Sequence, residues 1–201
     1  MRGGTVMLSK LHDNKTIDLF LEAKLIKEDK VYFSLKQRSK SFLYNFAAVL
    51  FNSMFAKNLT CKDVAGATFT PRISSSGYHP FVFVAGENNT YIVLSNSTND
   101  QTLNFNDYRI NTPLANLTVV SGYPKYEIET GTNYINLKIT DKWTYTGSDT
   151  IITASALYYR AVVDTAGTSR QVMFAKDVFD PAIELQGNSL IEWSYIIKIS
   201  L

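Results

Sequence analysis

The chain has 201 residues, which bounds it to one domain or one domain with a small appendage. Hydrophobic residues make up 45%, charged residues 19%, and the formal net charge is +2, so charge points to neither a nucleic-acid nor an acidic partner. A single cysteine, Cys61, excludes a disulfide-stapled secreted domain; it lacks the spacing of a metal site and is expected as a small buried or half-buried residue.

The N-terminal stretch "MRGGTVMLSKLHDNK" has no apolar core long enough for a signal peptide. Next, Ile17, Leu19, Leu21, Ala23 and Leu25 alternate with polar residues, the period of a half-buried strand. "KEDK" (27–30) turns the chain into "VYFSLKQ", with Val31, Phe33 and Leu35 expected on one face of an antiparallel hairpin. The densest basic stretch, Lys36, Arg38 and Lys40, reads as a solvated strand end rather than a phosphate-binding patch.

The period then changes. Phe42, Leu43, Phe46, Ala47, Leu50 and Met54 fall at helical spacing, which predicts a helix over about 41–56. Ser39 or Ser41 can cap its start, and Lys57 suits its end. The helix is apolar almost all round, so it fills a core or meets another subunit; Phe42, Phe46, Leu50 and Phe51 are the candidate interface. The run is interrupted by Asn45, Asn52 and Ser53 and falls short of the ~20 apolar residues of a membrane span, so a soluble chain is expected.

From Ala65 onward every segment favours β structure. "FVFVAG" (81–86) and "TYIVLSNS" (90–97) read as strands, and 106–118, which contains Pro113, as loop or edge. Two strands meet at Thr130-Gly131-Thr132; the second puts Ile135, Leu137, Ile139, Trp143 and Tyr145 on one face. Strands over 150–163 and 169–179 follow, and the last, 189–201, alternates strictly with Ile191, Trp193, Tyr195, Ile197, Ile199 and Leu201 on one side. The face of "NYINLKITDKWTYT" (133–146) is expected to help supply the sheet that covers it. These signals predict one mainly-β domain over 1–201, an antiparallel β-sandwich of jelly-roll-like type, with hairpin plus helix in 1–60 and a β-rich body in 65–201.

Chemistry is sparse. Phosphate-loop, zinc-protease, dinucleotide and nucleophile-elbow patterns are absent. His12 and His79 lie far apart in sequence, and the serines of "SSSGYHP" read as turn chemistry. Asp141, Asp164, Asp177, Asp180, Glu127, Glu184 and Glu192 are the carboxylates from which a paired site could be built. Asp141 stands out because it falls on the apolar face between Ile139 and Trp143. A buried carboxylate needs a partner; Lys176, Arg160 or backbone N–H groups could supply one, or a bulge could turn it outward. Trp143 and Trp193 fit core packing better than a sugar-stacking platform. No catalytic residue, metal or cofactor is expected. Asn14, Asn58, Asn88, Asn96 and Asn116 head Asn-x-Ser/Thr triplets that permit glycosylation.

The segments "IITASALYY" (151–159), "MFAKDVFDPAIEL" (173–185) and "GNSLIEWSYIIKI" (187–199), with "SKSFLYNFAAVLFNSMF" before them and "NDYRINTPL" (106–114) between, carry a resemblance. Together they resemble small β-rich virion structural proteins of tailed phages and related prokaryotic viruses, archaeal viruses included. Ser155-Ala156 departs from that pattern, where the family often has an acidic residue. The resemblance implies a non-enzymatic capsid- or tail-associated protein located in the virion. Its partners would be copies of itself and other virion proteins, with no direct nucleic acid and no membrane. The alternative is a carbohydrate- or receptor-binding sandwich.

Overall fold

The computed structural model describes residues 17–39, 42–55, 58–71 and 90–200. In chain order they form β1 (Ile17–Lys27), β2 (Lys30–Ser39), α1 (Tyr44–Phe55), β3 (Cys61–Lys62), β4 (Thr68–Phe69), β5 (Thr90–Ser95), β6 (Leu117–Val119), β7 (Lys125–Thr130), β8 (Tyr134–Tyr145), β9 (Thr150–Val163), β10 (Ser169–Leu185) and β11 (Ser189–Ser200). The expected strand at 81–86 lies outside the described residues.

Six strands make one antiparallel sheet in the order β2-β1-β11-β8, and the far side of β8 is shared by β7 along its first half and β6 at its end. β10-β9-β5 form a second sheet. The two pack face to face as a β-sandwich over Leu21, Leu25, Ile139, Ile152, Ile183, Ile191 and Trp193. A third layer, α1 with the β3–β4 hairpin, covers the other face of the three-stranded sheet through Phe46, Val49, Cys61, Phe69 and Phe174. β9 is therefore buried on both faces from Ile152 to Tyr159. That is why "IITASALYY" reads as a nearly continuous apolar run rather than an alternation.

Several expectations are met with local corrections. The β1–β2 hairpin turns at Glu28 and Asp29, both at positive φ (49° and 60°), the twist that a two-residue hairpin loop requires. A bulge follows: Leu25 opposes Phe33, but Ile26 opposes Val31. Val31 is therefore displaced from the face of Phe33 and Leu35 and is 55% exposed. The helix starts at Tyr44, later than the expected 41. Ser39 does not cap it; its hydroxyl ends β2 and donates to both carboxylate oxygens of Asp177 at 2.8 Å. Ser41 and Lys57 lie outside the described residues. β10 does not stop at 179 but continues to Leu185. Between Val178 and Ile183 its register against β9 shifts, so that this stretch faces only Ala154 to Ile152, and Pro181, which has no N–H to donate, sits inside the excess.

The largest correction concerns the closing strand. The 134–145 strand does not face β11; it is hydrogen-bonded beside it, with Ile191 opposite Trp143 and Tyr195 opposite Ile139. The two present one shared apolar face, and the three-stranded sheet covers it. The chain crosses between the two sheets at β5–β6, β8–β9 and β10–β11, and the last two crossings touch. The Gly187 N–H donates to Asp149 Oδ1 at 2.7 Å, and a Cβ at Gly187 would meet the Gly147 carbonyl at 2.6 Å.

Candidate functional site

The asparagines that interrupt the apolar helix shape a polar cleft. Asn45 and Asn52 are buried, and each clasps the chain that follows the helix. The Asn45 amide donates to the Lys62 carbonyl at 2.8 Å and accepts from the Lys62 N–H at 3.0 Å. Asn52 does the same with Leu59, at 2.7 and 2.9 Å. Segment 59–62 is thereby tied to the helix, while Cys61 and Lys62 also pair with Phe69 and Thr68 of β4, so backbone groups that would otherwise be stranded are satisfied.

A second wall comes from the loop before β6. Asn104 and Asp107 close a turn: the Asp107 N–H donates to the Asn104 carbonyl at 2.9 Å, and Asp107 Oδ2 accepts from the Asn104 N–H at 3.2 Å. The buried ammonium of Lys176 pins this loop, donating to Asp107 Oδ2 and the Thr102 carbonyl, both at 2.8 Å. Between the walls lies an open cleft of about 310 Å³, lined by Tyr44, Asn45, Thr60, Cys61, Lys62, Thr68, Asn106 and Asp107. Tyr44 is fixed edge-to-face against Phe105, with ring centroids 5.8 Å apart, and Phe105 is 55% exposed. Cys61 forms the floor. Burial pushes its thiol up to about 12, so it is no thiolate nucleophile near neutral pH.

Asp141 sits where its place in the alternation puts it, buried beside Trp193 in the sandwich interior. No bulge turns it out, because β8 keeps its register with β11 throughout. Its Oδ2 accepts from the Ile92 N–H at 2.7 Å. Burial pushes its pKa up to about 6, against the opposing pull of that N–H and of the Arg160 charge. Lys176 is engaged elsewhere, with Asp107. Asp141 lines neither the cleft above nor the two shallower ones at Tyr32–Gln186 and Ile17–Phe42.

Of the other carboxylates, Asp164 and Asp63 share Arg170, at 2.9 and 3.3 Å, and Asp177 meets Ser39. Among the described residues no group of three or more His, Cys, Asp or Glu could hold a metal ion. No described helix is long and apolar enough to cross a membrane. Lys36 pairs with Glu22 at 2.7 Å, and Arg38 pairs with Asp18. Lys138 reaches Glu22 from β8, and Lys24 and Lys142 flank Glu192. The outer face of the six-stranded sheet therefore carries a network in which Asp18, Glu22 and Glu192 are each paired with lysine or arginine.

Two surfaces remain. Phe42 stacks on Phe46 at 4.1 Å and bridges to Ala175, and Phe46 is buried edge-on to Phe174. The side chains of Leu50 and Phe51 lie outside those described. At one end of the six-stranded sheet no described strand of the second sheet covers the inner face. Ile17, Ile199 and Ile135 stand in one row across β1, β11 and β8, with Ile128 on β7 beside it. They are 42%, 39%, 38% and 72% exposed. The sequence placed the first three correctly on apolar faces, but not at an end that the second sheet leaves open.

Trp143 and Trp193 are 5% and 0% exposed, so both belong to the core. Asn58 and Asn116 are exposed and Asn96 is half-buried; Asn14, Asn88, His12, His79 and Lys40 lie outside the described residues. No family model, curated protein or solved structure matches the chain.

Proposed function

We propose that this chain is a non-enzymatic virion structural protein, capsid- or tail-associated, that acts through contacts with copies of itself and with other virion proteins. The observation that carries the reading is the isoleucine shelf of Ile17, Ile128, Ile135 and Ile199. Contiguous exposed aliphatic surface on a well-packed sandwich marks a contact surface, and an uncharged patch is complementary to itself across a two-fold axis. Resemblance supports the same reading, and with it the jelly-roll-like ordering of the strands; its segments 151–159, 173–185 and 187–199 fall on β9, on β10, and on β11 with the turn before it.

Light scattering on the purified protein, together with mass spectrometry of particles, tests it. We expect a homo-oligomer that the paired substitution Ile128→Glu, Ile135→Glu converts to folded monomer. Absence of the protein from particles sinks the virion role, and a wild-type monomer at all concentrations removes the shelf as a self-contact. The alternative, a carbohydrate- or receptor-binding module, has no tryptophan platform to rest on, since both tryptophans are buried. It has a different basis in the cleft at Tyr44.

A further inference from the structure

We propose that the cleft between the start of α1, the β3–β4 hairpin and loop 104–107 binds a neutral sugar. Its recognition groups are Tyr44, Thr60, Lys62, Thr68, Asn106 and Asp107. Among the described residues the Thr60, Thr68 and Tyr44 hydroxyls and the Asn106 side-chain amide make no hydrogen bond within the protein. Asp107 has Oδ2 engaged by Lys176 and Asn104, and no bond in the described residues is made to its Oδ1. The cleft therefore presents donors, acceptors and groups that are both, within about 310 Å³. A ligand made of vicinal hydroxyls, each donor and acceptor at once, matches that mixture. An apolar ligand would strand these groups, at a cost in unmade hydrogen bonds.

Charge favours a neutral ligand. The Asp107 carboxylate is balanced by Lys176 behind it, and the Lys62 ammonium lies 5.2 Å from the centroid of the Tyr108 ring. A free anion would meet the Asp107 oxygen, and a free cation would meet Lys62. The half-buried Tyr44 ring, held edge-to-face against Phe105, supplies the apolar surface on which the C–H face of a pyranose stacks.

The walls are preformed, which lowers the ordering cost of binding. The Asn45 clasp fixes Lys62, the Asn104–Asp107 turn fixes Asn106, and Lys176 anchors that turn to β10. This inference does not rest on the assembly role. A chain absent from particles can still bind sugar here, and an assembled one can fail to.

Titration of the full chain with glucose, galactose, mannose, N-acetylglucosamine and lactose, followed by amide NMR shifts, tests it. We expect saturable shifts for at least one sugar, with a Kd on the order of 1 mM, confined to residues 44–45, 60–62, 68 and 104–108. Asn106→Ala and Thr68→Ala, both at exposed positions, should each weaken binding by about tenfold while thermal unfolding stays at the wild-type temperature. Absence of saturable shifts with every sugar overturns the proposal, as does saturation mapped to any other surface or binding unaffected by both substitutions.

Discussion

Asp100 and Asp141 are both buried carboxylates, yet the protein treats them in opposite ways. Asp100 lies in the polar loop after β5. Its Oδ1 accepts from the Asn111 N–H and side-chain amide, both at 3.0 Å, and its Oδ2 from the Ser95 hydroxyl at 2.7 Å and the Thr112 N–H at 3.1 Å. Burial alone would raise its pKa, but the four donors together outweigh burial and hold it below the ordinary carboxylate value. Asp141 is enclosed by the two sheets, has one N–H donor, and rises to about 6. Depth of burial and the number of donors aimed at an acid together decide whether it stays ionised, and both favour the charged form of Asp100 over that of Asp141. Loop backbone, free of ladder pairing, can supply several N–H groups to one point. A sheet interior supplies few, because its N–H groups already bond neighbouring strands.

The largest expected effect comes from removing the better-satisfied acid. Asp100→Ala strands four donors in a buried loop and should destabilise by about 3–5 kcal/mol, measured by urea unfolding, with Asp100→Asn milder because it keeps an acceptor. A loss under ~1 kcal/mol for the alanine variant would show that the network stabilises little.

Asp141 should act through pH. Its folded pKa lies above its ordinary 3.8, so between 3.8 and about 6 the native state binds more protons than the unfolded chain. This residue's contribution must then fall as pH rises through that window, by about 3 kcal/mol in total. Asp141→Asn should remove that fall. Asp100, Asp164 and Glu22 have lowered values and act with the opposite sign: their contributions are present above the ordinary carboxylate range and are lost as pH drops through their folded values. Unfolding free energy measured across acidic pH should peak between the two regimes in the wild type, and the peak should flatten on its alkaline side in Asp141→Asn.

Smaller effects refine the contrast. Ser95→Ala removes one donor of four and should cost about 1 kcal/mol while raising the Asp100 pKa, which carboxyl-directed NMR reads. Arg160→Met removes the cation that favours ionised Asp141, so the Asp141 titration should move further up, with a stability change within about 0.5 kcal/mol because Arg160 is exposed. An unchanged Asp141 midpoint would remove Arg160 from the balance.

The two acids also differ in legibility. Asp141 stood out at once, because a carboxylate on the apolar side of an alternating strand breaks a two-residue period. Asp100 did not, because a polar residue in "NSTND" breaks nothing. The same division runs through the molecule. β1, β8 and β11 were readable from alternation, and the helix from its change of period. Asn45 and Asn52 looked like interruptions of an apolar run, whereas they are the ties that build the cleft. Tyr44, Lys62, Thr68 and Asn106 share no local pattern, since nothing in a chain records which distant residue will face it.

Sequence by itself determined the strand-rich class, the inward set of the alternating strands β1, β8 and β11, and the absence of an intrachain disulfide. Each depends on short-range period or on counting. Tertiary structure alone decided that β8 lies beside β11 instead of facing it, that β9 is covered on both sides, that one end of the larger sheet leaves four isoleucines exposed, and that Asp100 has four donors where Asp141 has one. Those outcomes depend on which surfaces meet and how far each sheet extends. A half-buried strand carries the same alternation whichever sheet, or solvent, lies opposite it.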